Sequence, residues 1–142
     1  MGAKINGDKG YASRYADISI LSFHPVKAIT TGEGGAILTN NSKYFKLAKE
    51  FRSHGVVKDP KKLKNKGNWY YEMRSLGENA RMSEIHASLG CSQITKLNSF
   101  VAKRNRIAKF YDKFFKNRSN FIIPKVKKNF YHAYHLYPLL VD

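Results

Sequence analysis

The chain has 142 residues, 42% of them apolar, which is enough for the core of one ordinary domain and excludes disorder throughout. Its 26 Lys+Arg against 10 Asp+Glu give a formal net charge of +16, so affinity for polyanions follows from charge alone, whatever the function. No apolar run is long enough for a membrane span and no leader is apparent, so the expectation is a cytoplasmic protein with no membrane partner. The lone Cys91 cannot form an internal disulfide and has no metal-ligand spacing around it, so no metal site is expected and its expected role is packing on a helix.

Residues 1–16 are polar, with Gly2, Gly7 and Gly10 spaced through them and no amphipathic period. Residues 17–23 set Ile18, Ile20 and Phe23 among smaller side chains, the pattern of a strand buried on both faces. A second apolar run, 36–39, predicts another strand, and the stretch Ser22-Phe23-His24-Pro25-Val26-Lys27-Ala28-Ile29-Thr30-Thr31-Gly32-Glu33-Gly34-Gly35 joins the two as a loop or turn. Lys27 lies between a proline-stiffened segment and a glycine-rich one. By itself that arrangement suits either a basic surface turn or an amine held in place beside a ligand.

Asn40, Asn41 and Ser42 supply N-cap chemistry for a helix over 43–54, with Tyr44, Leu47, Ala48 and Phe51 on one face and Gly55 placed to end it in the left-handed conformation. A lysine-rich loop then runs to Asn68, with Lys58, Lys61, Lys62, Lys64 and Lys66 around Pro60. A second basic cluster, Lys125, Lys127 and Lys128, follows Pro124. With Trp69, Tyr70 and Tyr71 after the first cluster, a small basic nucleic-acid-binding module is the alternative functional class. From Ser83 the pattern is helical: Ile85 and Leu89 share a face, then Leu97, Val101, Ala108, Tyr111 and Phe115 recur at helical spacing, predicting a long helix broken near Asn98. Residues 117–120 read as a turn, and 121–123 and 134–141 as strands, the latter interrupted by Pro138.

Ser22, Phe23, His24, Lys27, Ile29, Thr30, Glu33, Gly34 and Gly35 together resemble the Ser-Phe-His-x-x-Lys-x-Ile-Thr-x-x-Glu-Gly-Gly signature of the DegT/StrS family of pyridoxal-phosphate sugar aminotransferases. A second match, Gly77-x-Asn79-x-Arg81-Met82, resembles the family's Gly-x-Asn-x-Arg-Met motif, although Glu78 and Ala80 stand where members commonly carry aromatics. The segment from His132 to Tyr137 resembles a substrate-side histidine segment. The resemblance implies that Lys27 carries the cofactor through its amine, that Ser22 hydrogen-bonds the cofactor phosphate, and that Asn79 reaches the phosphate of a partner subunit in a homodimer. It makes His24 and His135 candidate substrate-binding residues. From the residues alone, Asn79 equally suits a turn cap, Arg81 a helix-start pairing with Glu84, and His24 and Glu33 structural roles.

The implied fold is α/β, part of the large domain of an aspartate-aminotransferase-like (fold type I) enzyme over 1–100, followed by a linking helix and the beginning of a smaller α+β domain over 101–142. The implied activity moves an amino group from glutamate to a nucleotide-linked 4-keto-6-deoxy sugar, the resemblance being nearest to UDP-4-keto-6-deoxy-N-acetylhexosamine 4-aminotransferases of the pseudaminic acid type. The family's phosphate loop, its ring-stacking aromatic and the aspartate that pairs with the pyridinium find no counterpart. The chain is therefore expected to be an internal fragment, inactive or nearly so alone, with no specific nucleic-acid partner.

Overall fold

The computed structural model describes residues 1–58, 67 and 69–141. Lys61, Lys62, Lys64 and Lys66, and most of the expected loop up to Asn68, lie outside the described residues. In chain order the elements are β1 (Lys4–Ile5), α1 (Tyr11–Tyr15), β2 (Ser19–Ser22), β3 (Gly35–Leu38), α2 (Ser42–Phe51), β4 (Val56–Val57), β5 (Glu72–Met73), α3 (Glu84–Ile94), α4 (Leu97–Phe115), β6 (Phe121–Ile122), β7 (Phe130–Tyr131) and β8 (Leu140–Val141). The strands pair antiparallel as β1 with β7, β2 with β3, β4 with β5 and β6 with β8.

The β2–β3 pair holds Ser19 opposite Leu38 and Ser22 opposite Gly35, so residues 23–34 form the connection between two strand ends. Both strands lie where the apolar runs predict them. The expected burial of 17–23 on both faces is corrected: β2 alternates half-buried and exposed residues, and Ile20 is 79% exposed. Its exposed face opens onto a groove shared with residues of the helix 42–51 rather than onto a packed layer.

Helix α2 starts as its sequence directs, with Asn41 Oδ1 accepting from the backbone N–H of Lys43 (2.9 Å) and Tyr44 (3.4 Å). It ends earlier than the expected His54, because His54 and Gly55 both adopt positive φ, 62° and 66°. Gly55 N–H then returns to Glu50 O at 2.9 Å, and Arg74 N–H donates to Gly55 O at 2.9 Å. The single long helix from Ser83 is two helices, capped by Ser83 Oγ accepting from His86 N–H and separated at Thr95 and Lys96 rather than at Asn98. Cys91 lies on α3 but is exposed, so the packing role expected for it does not hold.

Two elements arise in the stretch without a period. β1 pairs with β7 through Lys4–Tyr131 and Ile5–Phe130, a partnership set by chain return rather than by local pattern. The strand expected over 134–141 is reduced to β8, because Tyr134 takes φ 46° and the segment turns there. The buried apolar residues among those described are Ile29, Val101 and Ala108, joined by the buried Thr31. The chain exposes 11119 Å² of surface, against about 7,500 Å² for a compact monomer of this mass. No helix among the described residues is long and apolar enough to cross a membrane.

The left-handed turn at Gly55 yields a direct prediction. A Cβ there would run into the Ser75 carbonyl oxygen, and the φ of 66° disfavours any L side chain. Gly55→Ala should lower stability by more than about 1 kcal/mol, seen as an earlier urea midpoint with unchanged slope; an unshifted midpoint would refute the turn's role.

Candidate active site

The connection 23–34 is closed at its base by Phe23 N–H donating to Gly34 O (2.9 Å) and Thr31 N–H donating to Phe23 O (3.0 Å). Thr30 Oγ1 donates to Phe23 O at 2.9 Å and accepts from Gly32 N–H at 2.9 Å, while Thr31 Oγ1 donates to Glu33 O at 2.7 Å. With both threonine hydroxyls committed to the backbone, the loop is hydrogen-bonded internally. It also packs on α3: a Cβ at Gly34, whose φ is 149°, would approach Met82 Cε and Thr31 Oγ1 to 2.6 Å, and one at Gly90 would meet Thr31 Cγ2 at 2.8 Å. The glycine pattern therefore serves close approach between loop and helix.

On this loop Lys27 N–H donates to His24 O at 3.0 Å, closing a turn with Pro25 at its second position. Its side chain is half-buried, and Nζ lies 3.1 Å from His135 Nε2. Two residues 108 positions apart thus meet through their side-chain nitrogens, a contact that the sequence did not foretell. Burial first, then the charges of Lys27 and Arg104, hold the His135 imidazole below its ordinary value, against a smaller upward pull from the Val26 backbone. Among the described residues no well-formed hydrogen bond reaches the buried His135 Nδ1.

Ser22 stands at the end of β2, exposed, its Oγ accepting from His24 N–H at 3.4 Å, which leaves its own O–H proton to donate outward. His24 is exposed and its Nδ1 accepts from Val26 N–H at 3.5 Å, so its ring folds back on the backbone of its own loop. Asn79 lies apart from this cluster in its contacts. Its stretch is laced to the end of α2, with Glu78 N–H to Phe51 O (2.7 Å), His54 N–H to Glu78 O (2.9 Å) and Ala80 N–H to Arg52 O (3.0 Å), leaving Asn79 exposed. Among the described residues no hydrogen bond joins Asn79 to Ser22 or Lys27 within the chain.

The residue missed by sequence reasoning is Arg104. Its Nη1 donates to Tyr134 O (3.1 Å) and His135 O (3.2 Å), and its Nη2 to Val26 O (3.3 Å) and Lys27 O (3.2 Å). A signal existed: Arg104 fills the gap between Val101 and Ala108 in the α4 stripe, at the spacing where an apolar side chain is expected. The primary amine of Lys27 and the exposed hydroxyl of Ser22 have the chemistry that pyridoxal phosphate asks for, an amine for its carbonyl and a donor for its phosphate.

The DegT/DnrJ/EryC1/StrS aminotransferase family model matches residues 1–142. The UDP-4-amino-4,6-dideoxy-N-acetyl-beta-L-altrosamine transaminase of Campylobacter jejuni is 42% identical over 141 residues, covering 99% of this chain and 35% of the relative. Helicobacter pylori PseC, an aminotransferase involved in the biosynthesis of pseudoaminic acid, superposes with a TM-score of 0.80 at 38% identity, over 90% of this chain and 33% of that one. The PMP-form of a sugar aminotransferase from Streptococcus pneumoniae, Spr1654, gives a TM-score of 0.85 at 29% identity, over 99% of this chain and 36% of that one. The chain spans about a third of the length of the relatives it matches. With the whole described sequence matched and the signature lysine set in a closed loop, the chain belongs to the DegT/DnrJ/EryC1/StrS aminotransferase family.

Proposed function

We propose that this chain is part of a pyridoxal-phosphate-dependent aminotransferase that moves an amino group from glutamate to a nucleotide-linked 4-keto-6-deoxy sugar in surface-glycan biosynthesis. The observation that carries the reading is the half-buried Lys27 amine, fixed by its loop and 3.1 Å from His135 Nε2. When bound, pyridoxal phosphate supplies an electrophilic carbonyl and a sink for electrons. Lys27 would hold it, and Ser22 would donate its hydroxyl hydrogen to the phosphate. Neutral His135 presents its Nε2 lone pair to the Lys27 ammonium, which orients Nζ and gives its proton a stated acceptor. Later in the reaction the freed Lys27 amine is the group placed to shuttle a proton between carbon atoms of the bound reactants.

Asn79 belongs to the reading as a ligand donated to the partner subunit of a homodimer, consistent with its exposure and its lack of hydrogen bonds to Ser22 or Lys27 within the chain. His24 and His135 are read as the substrate-side pair. The division into a large-domain part, 1–100, and a small-domain part, 101–142, puts the boundary inside α4. A cytoplasmic setting without membrane or specific nucleic-acid partners completes the proposal. The family match over the whole chain favours it over the small basic nucleic-acid-binding module.

Borohydride trapping tests the site. Added pyridoxal phosphate should be reduced onto Lys27 in preference to the other lysines, as read by peptide mass spectrometry, and Lys27→Ala should abolish the preferred adduct. Labelling spread evenly over the lysines would refute a preformed site. The histidine provides a pH test. Because the fold holds His135 below its ordinary 6.5, the unfolded chain takes up a proton first as the pH falls through that value. Stability should therefore decline on acidification below 6.5, by a component absent in His135→Gln; an imidazole NMR titration at or above the ordinary value would contradict it.

A further inference from the structure

We propose that Arg104 is a positioning residue, whose guanidinium fastens the Lys27 loop to the Tyr134–His135 segment and so sets the Lys27–His135 contact. Nη1 and Nη2 carry two hydrogens each, and the four face four backbone carbonyls, two on either side of the contact. One side is Val26 and Lys27, the other Tyr134 and His135. The planar fork fixes the distance between these segments as well as their existence as neighbours. An ammonium at position 104 would offer three hydrogens from one point and could not span both pairs.

Three features argue that Arg104 does more than staple α4 to the chain end. First, α4 already has two other fastenings to the same segment: Asn105 Nδ2 donates to His132 O (2.9 Å), and Tyr137 O–H donates to Asp112 Oδ1 (2.7 Å). Neither touches the Lys27 loop; Arg104 does. Second, Tyr134 holds φ 46°, and the turn there aims two successive carbonyls at one guanidinium nitrogen. Third, the Arg104 charge acts on His135 in the same sense as burial, favouring the neutral imidazole that can accept from Lys27.

The test needs no cofactor, so its failure is separable from failure of the aminotransferase reading. Competitive acetylation of the whole chain at one pH, read by mass spectrometry, compares Lys27 with the exposed Lys96 and Lys103 on α3–α4. In Arg104→Gln and Arg104→Lys, Lys27 should rise several-fold toward those references, and the His135 NMR titration should move upward in Arg104→Gln. Asn105→Ala, which cuts a neighbouring fastening, should leave both readouts as in the wild type. Hydrogen exchange of the α4 amides separates a local from a global effect. Unchanged Lys27 reactivity in both Arg104 variants, full rescue by lysine, or α4 exchange rising in step with Lys27 reactivity would each overturn the assignment.

Discussion

The closing of the β2–β3 connection on itself is the constraint from which the site follows. Once Ser22 pairs with Gly35 in an antiparallel register, the chain between must leave and re-enter at one strand-spacing. Phe23 meets that condition twice, donating to Gly34 O and accepting from Thr31 N–H. The two threonines add bonds from within, Thr30 to Phe23 O and Gly32 N–H and Thr31 to Glu33 O, so Thr31 can be 2% exposed without an orphaned polar atom. Lys27 occupies the outer bend of this loop, where its backbone is fixed but its side chain remains free to reach across.

What it reaches is set by α4. One stripe of that helix, from Val101 through Arg104 and Ala108 to Tyr111, faces the N-terminal stretch on one side and the returning 132–137 segment on the other. Gly2 comes so near Val101 that a Cβ there would approach Cγ2 to 2.7 Å. Tyr111 and Tyr137 meet edge to face at 5.2 Å, and the Tyr137 phenol is pushed up, first by burial and then by its hydrogen bond to Asp112. The helix is thus a spine that brings distant stretches of sequence to one corner. The Lys27–His135 contact is the chemical result.

Local elements were legible in the sequence because their causes are local. Asn41 caps α2, Ser83 caps α3, Gly55 turns left-handed, and the apolar runs flanking the Lys27 loop become β2 and β3. The signature lysine and His135 were legible as candidates through resemblance, and their proximity required the fold. Elements whose cause is distant were not legible. β1 exists because β7 returns beside it, and the turn at Tyr134 offers its carbonyls to Arg104 on another element. Arg104 itself looks, in one dimension, like one more base in a chain of net charge +16.

The surface and the corner obey different physics. Many large apolar side chains among the described residues are exposed, Ile20, Leu76 and Ile85 among them. A groove of about 550 Å³ lined by Ile20, Ile37, Phe45 and Phe51 lies open where β2 and β3 meet α2. Among the described residues the buried apolar side chains are Ile29, Val101 and Ala108, so little of the burial that holds these elements comes from within them. The Lys27 corner is held instead by backbone hydrogen bonds and one guanidinium, each contributing on the order of 1 kcal/mol and acting over short, well-formed distances. The groove and the Lys27 corner are thus made of different groups: apolar side chains of β2, β3 and α2 line the one, and the two threonines and the four carbonyl bonds of Arg104 tie the other.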